Sequence, residues 1–328
     1  MKYFFKPDVI FKGMAMGIAE IIPGVSGGTI AFITGIYEDL LNSIKSFDLG
    51  LIQLLRKGEF QKAAQHINFP FVANLGGGMA LGIVIGVFAI TYLLEHYPEP
   101  LWGFFFGLIL ASALFIGRQF SIKDLFNIIG LVVGFLIAYG ITILSPSEGS
   151  TSYFFVFFSA TIAISAMLLP GISGSFMLVL MGMYYYILSS VKSILTLFDL
   201  ASISVIFVFV LGLIAGAMTF SRVFSWLFNT YKEVTLAVLT GFLLGSLNKI
   251  WPWRNVETIY IKETGEIQLV TNADMLKSLP HDSFKIMSEI QVLPEMYWST
   301  PKTWETLVSL VIGFLIVFVM DRSSAVKV

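Results

Sequence analysis

The sequence predicts an all-α, polytopic membrane protein built from two inverted-topology repeats, and three observations carry that prediction. The 328 residues are 56% hydrophobic and only 12% charged, with a mean hydropathy of +0.85; a soluble domain carries about twice that charged fraction. Apolar runs of about 17 to 23 residues recur, the length that crosses ~30 Å of hydrocarbon. The third observation is a self-similarity: PGVSGGTIAFITGIYEDLLNSI, from Pro23, is echoed by PGISGSFMLVLMGMYYYILSSV, from Pro170.

Hydropathy windows predict spans at 72–94, 101–117, 125–144, 202–220, 234–250 and 303–320. Two further apolar stretches, 8–44 and 153–191, are interrupted by the Pro-Gly sequences. The chain thus divides at 144/145 into halves 1–144 and 145–328, each a broken hairpin followed by three spans. The one long polar segment, 251–302, is an insertion in the second half, and WPWR at its start reads as an interfacial aromatic belt with a basic anchor. Within it, TIYIKETGEIQLV alternates around a Thr-Gly turn and predicts a β-hairpin. The N-terminal lysines precede an apolar run, but Glu20 and Pro23 interrupt it and no small-residue cleavage site follows, which predicts a retained segment rather than a signal peptide.

Lys and Arg in the short loops set the orientation. Lys2, Lys6 and Lys12 precede the first broken hairpin, and Lys45, Arg56, Lys57 and Lys62 follow it, so both its ends are expected in the cytoplasm. EHYPEP at 95–100 has no Lys or Arg and belongs outside; Arg118 and Lys123 return to the cytoplasm, and SPSEGSTS at 145–152 goes outside again. The second hairpin then enters and leaves from outside, which places 251–302 on the extracytoplasmic side and both termini in the cytoplasm. An arm of about 15 residues spans only ~22 Å as helix, so the hairpins are expected to dip into the membrane as re-entrant elements.

The repeat survives a register test. At an offset of 147, residues 23–46 match 170–193 at ten of 24 positions. At an offset of 134, Gly78, Gly82, Leu93, Tyr97, Glu99, Gly107 and Ser112 match Gly212, Gly216, Leu227, Tyr231, Glu233, Gly241 and Ser246. Three spans after each hairpin is an odd number, so the halves insert with opposite orientation, as in many transporters with a midplane site.

Composition removes several function classes. A net charge of −1 argues against a nucleic-acid partner, and the absence of cysteine removes disulfides and thiolate chemistry. The three histidines, His66, His96 and His281, fall in loops or at their edges, so neither a metal site nor a cofactor is expected. GVSG and GISG spell the G-x-S-G of an intramembrane serine protease, but no histidine lies within a span to serve as base. An enzyme is not expected. The sequence admits a homodimer without fixing the oligomeric state.

The chemistry points to the helix breaks. Pro23, Gly24, Pro170 and Gly171 interrupt helices inside apolar segments, and backbone freed there must be covered by protein or face a polar cavity. Ser26, Gly27, Gly28 and Thr29 would open one outgoing half-helix, and Ser173, Gly174 and Ser175 the other. Exposed N–H groups and the helix dipole make such starts anion sites, and two meeting at mid-membrane would cradle one phosphate. The alternative is close helix packing by small residues. Ionisable groups in spans are costly. Glu20 and Glu38 are candidates for proton coupling. Arg222 aligns with Phe88 inside a span, where it either faces an anion or snorkels to the interface; Arg118 is either a second counter-charge or an ordinary positive-inside anchor.

KGMAMGIAEIIPGVSGGTIAFITGIYEDLL resembles the signature of the bacterial polyprenyl-phosphate transporter family, and PGISGS with the following GMY, and GFLLGSLNKIWPWR, resemble its other hallmarks. The resemblance runs from about residue 9 to 254 and includes the last span. It implies flipping of undecaprenyl phosphate, the lipid carrier of cell-envelope glycans, from the outer to the inner leaflet of the bacterial cytoplasmic membrane. The carrier would thereby be recycled for peptidoglycan and other glycan export. The matching positions are Glu20, Pro23, Gly24, Ser26, Gly27, Gly28, Thr29, Gly35, Tyr37 and Glu38, then Pro170, Gly171, Ser173, Gly174 and Ser175. The second half has Met167 in place of Glu20 and Tyr185 in place of Glu38, so the charge is one-sided. The competing expectation is an ion-coupled transporter of a small soluble anion on the same scaffold.

Overall fold

The computed structural model describes residues 5–21, 26–144, 146, 149–197, 199–280 and 283–325, so Pro23, Gly24 and His281 lie outside the described residues. The first apolar stretch forms α1 (Pro7–Glu20), a short α2 (Gly27–Ile33) and α3 (Tyr37–Lys45). Two small helices, α4 (Leu49–Arg56) and α5 (Phe60–His66), lead into α6 (Phe69–His96), α7 (Pro98–Ile116) and α8 (Leu125–Ile143). The second stretch forms α9 (Tyr153–Leu168), α10 (Gly174–Leu180) and α11 (Tyr184–Leu197), followed by α12 (Leu200–Thr230) and α13 (Lys232–Ser246). The insertion holds β1 (Arg254–Ile261), β2 (Ile267–Leu269), α14 (Ala273–Ser278) and β3 (Phe284–Gln291), and α15 (Thr303–Ala325) follows it.

Among the described residues α6, α7 with the turn after it, α8 and α12 are long and apolar enough to cross a membrane. The pair α10–α11, bent by 106°, makes a fifth if it counts as one span, while α9 and α15 are shorter apolar helices. The chain is a multi-pass, mostly helical membrane protein. Starts are set by local chemistry: Asp124 accepts the Phe126 N–H, Ser152 that of Phe155, and Asp199 those of Ala201 and Ser202. The core lies along α7 and α13, where Ile109, Ala111, Ala237, Leu239 and Leu243 are fully buried. α6, α8 and α12 turn exposed Leu, Ile, Val and Phe outward, as the lipid-facing side of a span must.

Three expectations are corrected in detail, the first being that α12 runs to Thr230, ten residues past the predicted span limit of 220. Where a loop is predicted at 95–100, the chain turns on Tyr97 alone, because Pro98 and Pro100 are well placed in the first turn of the next helix. α13 ends at Ser246, four residues before the predicted limit of 250, and the chain then turns towards Trp251 and Pro252.

Tyr97 and Tyr231, paired at offset 134, share one backbone conformation, φ −139°, ψ 49° and φ −133°, ψ 54°. Gly35 and Gly182, paired at offset 147, both have positive φ, 71° and 67°, where glycine alone is unstrained. Glycines bring the long helices together: a Cβ on Gly78 would strike the Ile10 carbonyl and one on Gly82 the Met14 carbonyl, packing α6 on α1. At the paired positions Gly212 meets the Phe157 carbonyl and Gly216 that of Thr161, packing α12 on α9. Likewise Gly107 lies on the Leu310 carbonyl of α15, and Gly241 on the Leu131 carbonyl of α8.

The sheet order is β2–β1–β3, all antiparallel. The predicted hairpin is β1–β2, with Thr258 opposite Leu269 and Tyr260 opposite Ile267. The cap is tied to the bundle by the Tyr297 hydroxyl, which donates to Glu99 at the start of α7 at 3.0 Å. The indoles of Trp251 and Trp253 donate to the carbonyls of Val292 and Pro301 at 2.9 and 2.8 Å. WPWR thus also joins the end of the bundle to the cap.

Candidate functional site

The two helix breaks interlock. Pro170 disfavours the helical conformation for the residue before it, and Leu169 is extended at φ −75°, ψ 130°. The last turn of α9 is left with unpaired carbonyls. Ser26, at the start of α2, donates its hydroxyl to one of them, the Met167 carbonyl, at 2.6 Å and accepts the Gly28 N–H at 3.0 Å. In return Thr29 Oγ1 accepts the Gly171 N–H at 2.8 Å. A Cβ at Gly28 would sit 2.7 Å from the Met167 carbonyl oxygen and 2.8 Å from that of Leu168, so only glycine lets the breaks approach this closely. Ser173 and Ser175 share a hydrogen bond of 2.9 Å, and Gly174 abuts the Ala163 carbonyl.

The start of α2 is already occupied, and its occupant is a carboxyl group of the protein itself. Gly27 donates its N–H to Glu20 Oε1 at 2.6 Å. Ser26 and Thr29 are fully buried. Of the predicted residues, Glu20, Ser26, Gly27, Gly28, Thr29, Gly171, Ser173, Gly174 and Ser175 thus fall at or beside this junction.

The predicted cations stand elsewhere. Arg222 lies exposed on α12 and donates to the Met218 carbonyl of its own helix at 2.9 Å. Its aligned residue, Phe88, is also turned outward. Arg118 sits exposed in the turn after α7, its guanidinium 5.1 Å from the centre of the Phe115 ring. Among the described residues no hydrogen bond or ion pair joins either arginine to the breaks. Glu38 lies 3.8 Å from Lys232, both exposed, at a cavity of about 410 Å³ that Tyr37, Gln119 and Phe228 help to line.

A second cavity, of about 430 Å³, lies under the cap between the ends of α8 and α10, the segment after α13, and strands β1 and β3. It contains the cations that sequence reasoning missed. Arg254 Nη1 is 2.9 Å and Lys249 Nζ 3.6 Å from Glu289 Oε2. Lys249 lies 5.0 Å from the centre of the Phe176 ring, and Arg254 lies 5.1 Å from that of Trp102. Gln291 and Asn248 are hydrogen-bonded at 2.6 Å, and Asn248 in turn donates to Thr142 at 2.6 Å. A small void of about 10 Å³, bounded by Gly171, Ser173, Thr142, Phe176 and Lys249, adjoins this cavity through the last three residues. The signal was present in LNKIWPWR, where a lysine and an arginine bracket a tryptophan pair just past a span.

Comparison with known proteins agrees with this picture of a membrane protein. The chain is 43% identical over 255 residues to a polyprenyl-phosphate transporter of Vibrio cholerae, covering 78% of this chain and 80% of that protein. It is 32% identical over 262 residues to a polyprenyl-phosphate transporter of Staphylococcus aureus, covering 76% of this chain and 87% of that one. No solved structure matches. Residues 16–268 match the model of a family described as undecaprenyl phosphate translocase-like, a stretch that takes in both helix breaks, Lys249 and Arg254. The chain belongs to the undecaprenyl phosphate translocase-like family.

Proposed function

We propose that this protein flips undecaprenyl phosphate from the outer to the cytoplasmic leaflet of the bacterial cytoplasmic membrane, returning the lipid carrier for further rounds of cell-envelope glycan export. It acts as a transporter and not as an enzyme, with both termini in the cytoplasm and the cap outside. The observation that carries this reading, beside the family, is the junction where Ser26 meets the Met167 carbonyl and Thr29 meets the Gly171 N–H. Two breaks from opposite halves of the chain complete one another there, which supports two inverted repeats, 1–144 and 145–328. The paired glycine contacts and the shared backbone of Tyr97 and Tyr231 support the same architecture.

The phosphate is taken to bind at the broken helix starts when the junction opens, with Ser26, Gly27, Gly28, Thr29, Ser173, Gly174 and Ser175 supplying hydrogen bonds. Glu20 holds the Gly27 N–H in the closed form and gives it up to the substrate; its protonation would couple the exchange to the proton gradient. Glu38, beside Lys232, serves the release side, and Arg118 and Arg222 are kept as the sequence-predicted counter-charges.

The test is a liposome assay that follows undecaprenyl phosphate between leaflets, with wild type beside Glu20→Gln and Arg222→Ala. Wild type is expected to move the lipid, Glu20→Gln to slow it and abolish its response to a pH gradient. Movement indistinguishable from protein-free liposomes under every gradient would replace this reading with transport of a soluble anion.

A further inference from the structure

We propose that Lys249 and Arg254 form a receiving site for a phosphate monoester at the cap end, and that Glu289 of the cap occupies this site until the ligand displaces it. The inference rests on the transport reading and adds to it a site, its resident occupant and an order of events.

Two cations converge on one carboxylate oxygen, Glu289 Oε2, at 2.9 Å for Arg254 and 3.6 Å for Lys249. One carboxylate leaves this trio with an excess positive charge. Glu257, also on the cavity wall, is exposed and accepts from Ser288 at 3.0 Å; no ion pair links it to either cation among the described residues. A phosphate monoester carries about −1.5 to −2 near neutral pH and three strong acceptor oxygens, so it answers both cations where Glu289 answers them incompletely. The Arg254 side chain is 13% exposed and that of Lys249 29%, enough removed from water for the excess charge to matter. The faces of Trp102 and Phe176 hold the two heads in place, so little ordering remains to be done when a ligand arrives.

The shape of the cavity favours an amphiphile. Its cations lie beside the cap, while Tyr139, Ile143 and Leu144 of α8 and Val179 of α10 make an apolar wall. Ile143 and Leu144 are exposed, so on the transport reading that wall opens sideways towards lipid. A volume of about 430 Å³ lies within the ~300–1,000 Å³ of small-molecule sites. Lys249, Phe176 and Thr142 also bound the void at Gly171 and Ser173, so a headgroup leaving the cap cavity meets the helix break next.

The full-length protein in nanodiscs is titrated with undecaprenyl phosphate, and separately with inorganic phosphate. Wild type is compared with Glu289→Gln, with the double change Lys249→Gln and Arg254→Gln, and with Lys249→Arg. Glu289→Gln should bind the lipid about tenfold more tightly, and the double variant at least about tenfold more weakly; Lys249→Arg should stay close to wild type. Should the double variant fail to fold by thermal melting, the Glu289→Gln arm decides alone. Wild-type binding that neither Glu289→Gln nor the double change alters overturns the site and leaves the transport reading standing. Binding of inorganic phosphate with this residue dependence, and none of the lipid, upholds the phosphate site and overturns the transport reading.

Discussion

Ser26 and Thr29 face each other's problem across the helix breaks: one donates a hydrogen bond to a carbonyl left over by α9, the other accepts the N–H that Gly171 cannot place in a helix. In an apolar interior neither backbone group has water as an alternative, so both buried hydroxyls hold the junction together. Gly28 sets how near the elements come. Gly28→Ala would put a methyl 2.7 and 2.8 Å from two backbone oxygens that have no flexible end to yield, an overpacking of about 1–3 kcal/mol. Gly76→Ala meets nothing within 4 Å. The thermal midpoint in detergent should therefore fall for Gly28→Ala and hold for Gly76→Ala; equal midpoints would mean that α2 does not pack on the end of α9. The breaks themselves were legible because a Pro-Gly pair inside an apolar run removes a helical hydrogen bond wherever it falls. Their partners were not, since the Met167 carbonyl is backbone and leaves no mark in a sequence. The outward direction of Arg222 was hidden for a related reason: charge can be read from a sequence, but which face of a helix meets lipid depends on the neighbour it packs against.

At the scale of elements, α4 and α5 show how little holds a surface hairpin. Exposed Leu49, Ile52, Leu55 and Phe60 alternate with Arg56, Lys57 and Lys62, a pattern suited to lying in the membrane interface. Asp48 is the staple, accepting the Leu51 N–H at 3.0 Å and sitting 3.0 Å from His66. The Leu51 N–H first, and His66 after it, hold the Asp48 carboxyl below the usual carboxylate range. A lowered folded value means that its support is complete above the ordinary value of about 3.9 and is lost as pH falls through the depressed one. A spin label at Lys57→Cys should keep its mobility from neutral pH down to about 4 and loosen below that; adding Asp48→Asn should loosen it already at neutral pH. Mobility that ignores both changes would remove Asp48 as the staple. The cap illustrates the opposite limit of legibility. The β1–β2 hairpin could be read because a turn joins its strands, whereas β3 pairs along β1 across more than twenty intervening residues, and alternation in FKIMSEIQ alone names no partner. That long pairing is also what brings Glu289 to Arg254, so the cap cavity was hidden with it.

For the molecule as a whole, the decisive property we propose is an inverted arrangement of matching helices. α6 ends beside the cap, where the ring of Tyr97 lies 5.0 Å from Lys302 Nζ, while α12 ends at the other pole, beside Lys232 and Glu38. The same glycine spacing packs α6 on α1 and α12 on α9, so one pattern of contacts is used twice. The proposed orientation puts Lys45, Arg56, Lys57 and Lys62, around α4 and α5, at the cytoplasmic pole and the cap at the other. The chain contains no cysteine, so a single introduced thiol can be labelled without background. Lys57→Cys and Thr264→Cys, both exposed, should react with an impermeant maleimide on opposite faces, position 264 in intact cells stripped of their wall and position 57 only in inverted vesicles. Labelling of both from one face would refute the inverted arrangement and the cap's place outside. Labelling reversed for both would keep the architecture but put the cavity of Lys249 and Arg254 in the cytoplasm, where it would release the phosphate rather than receive it.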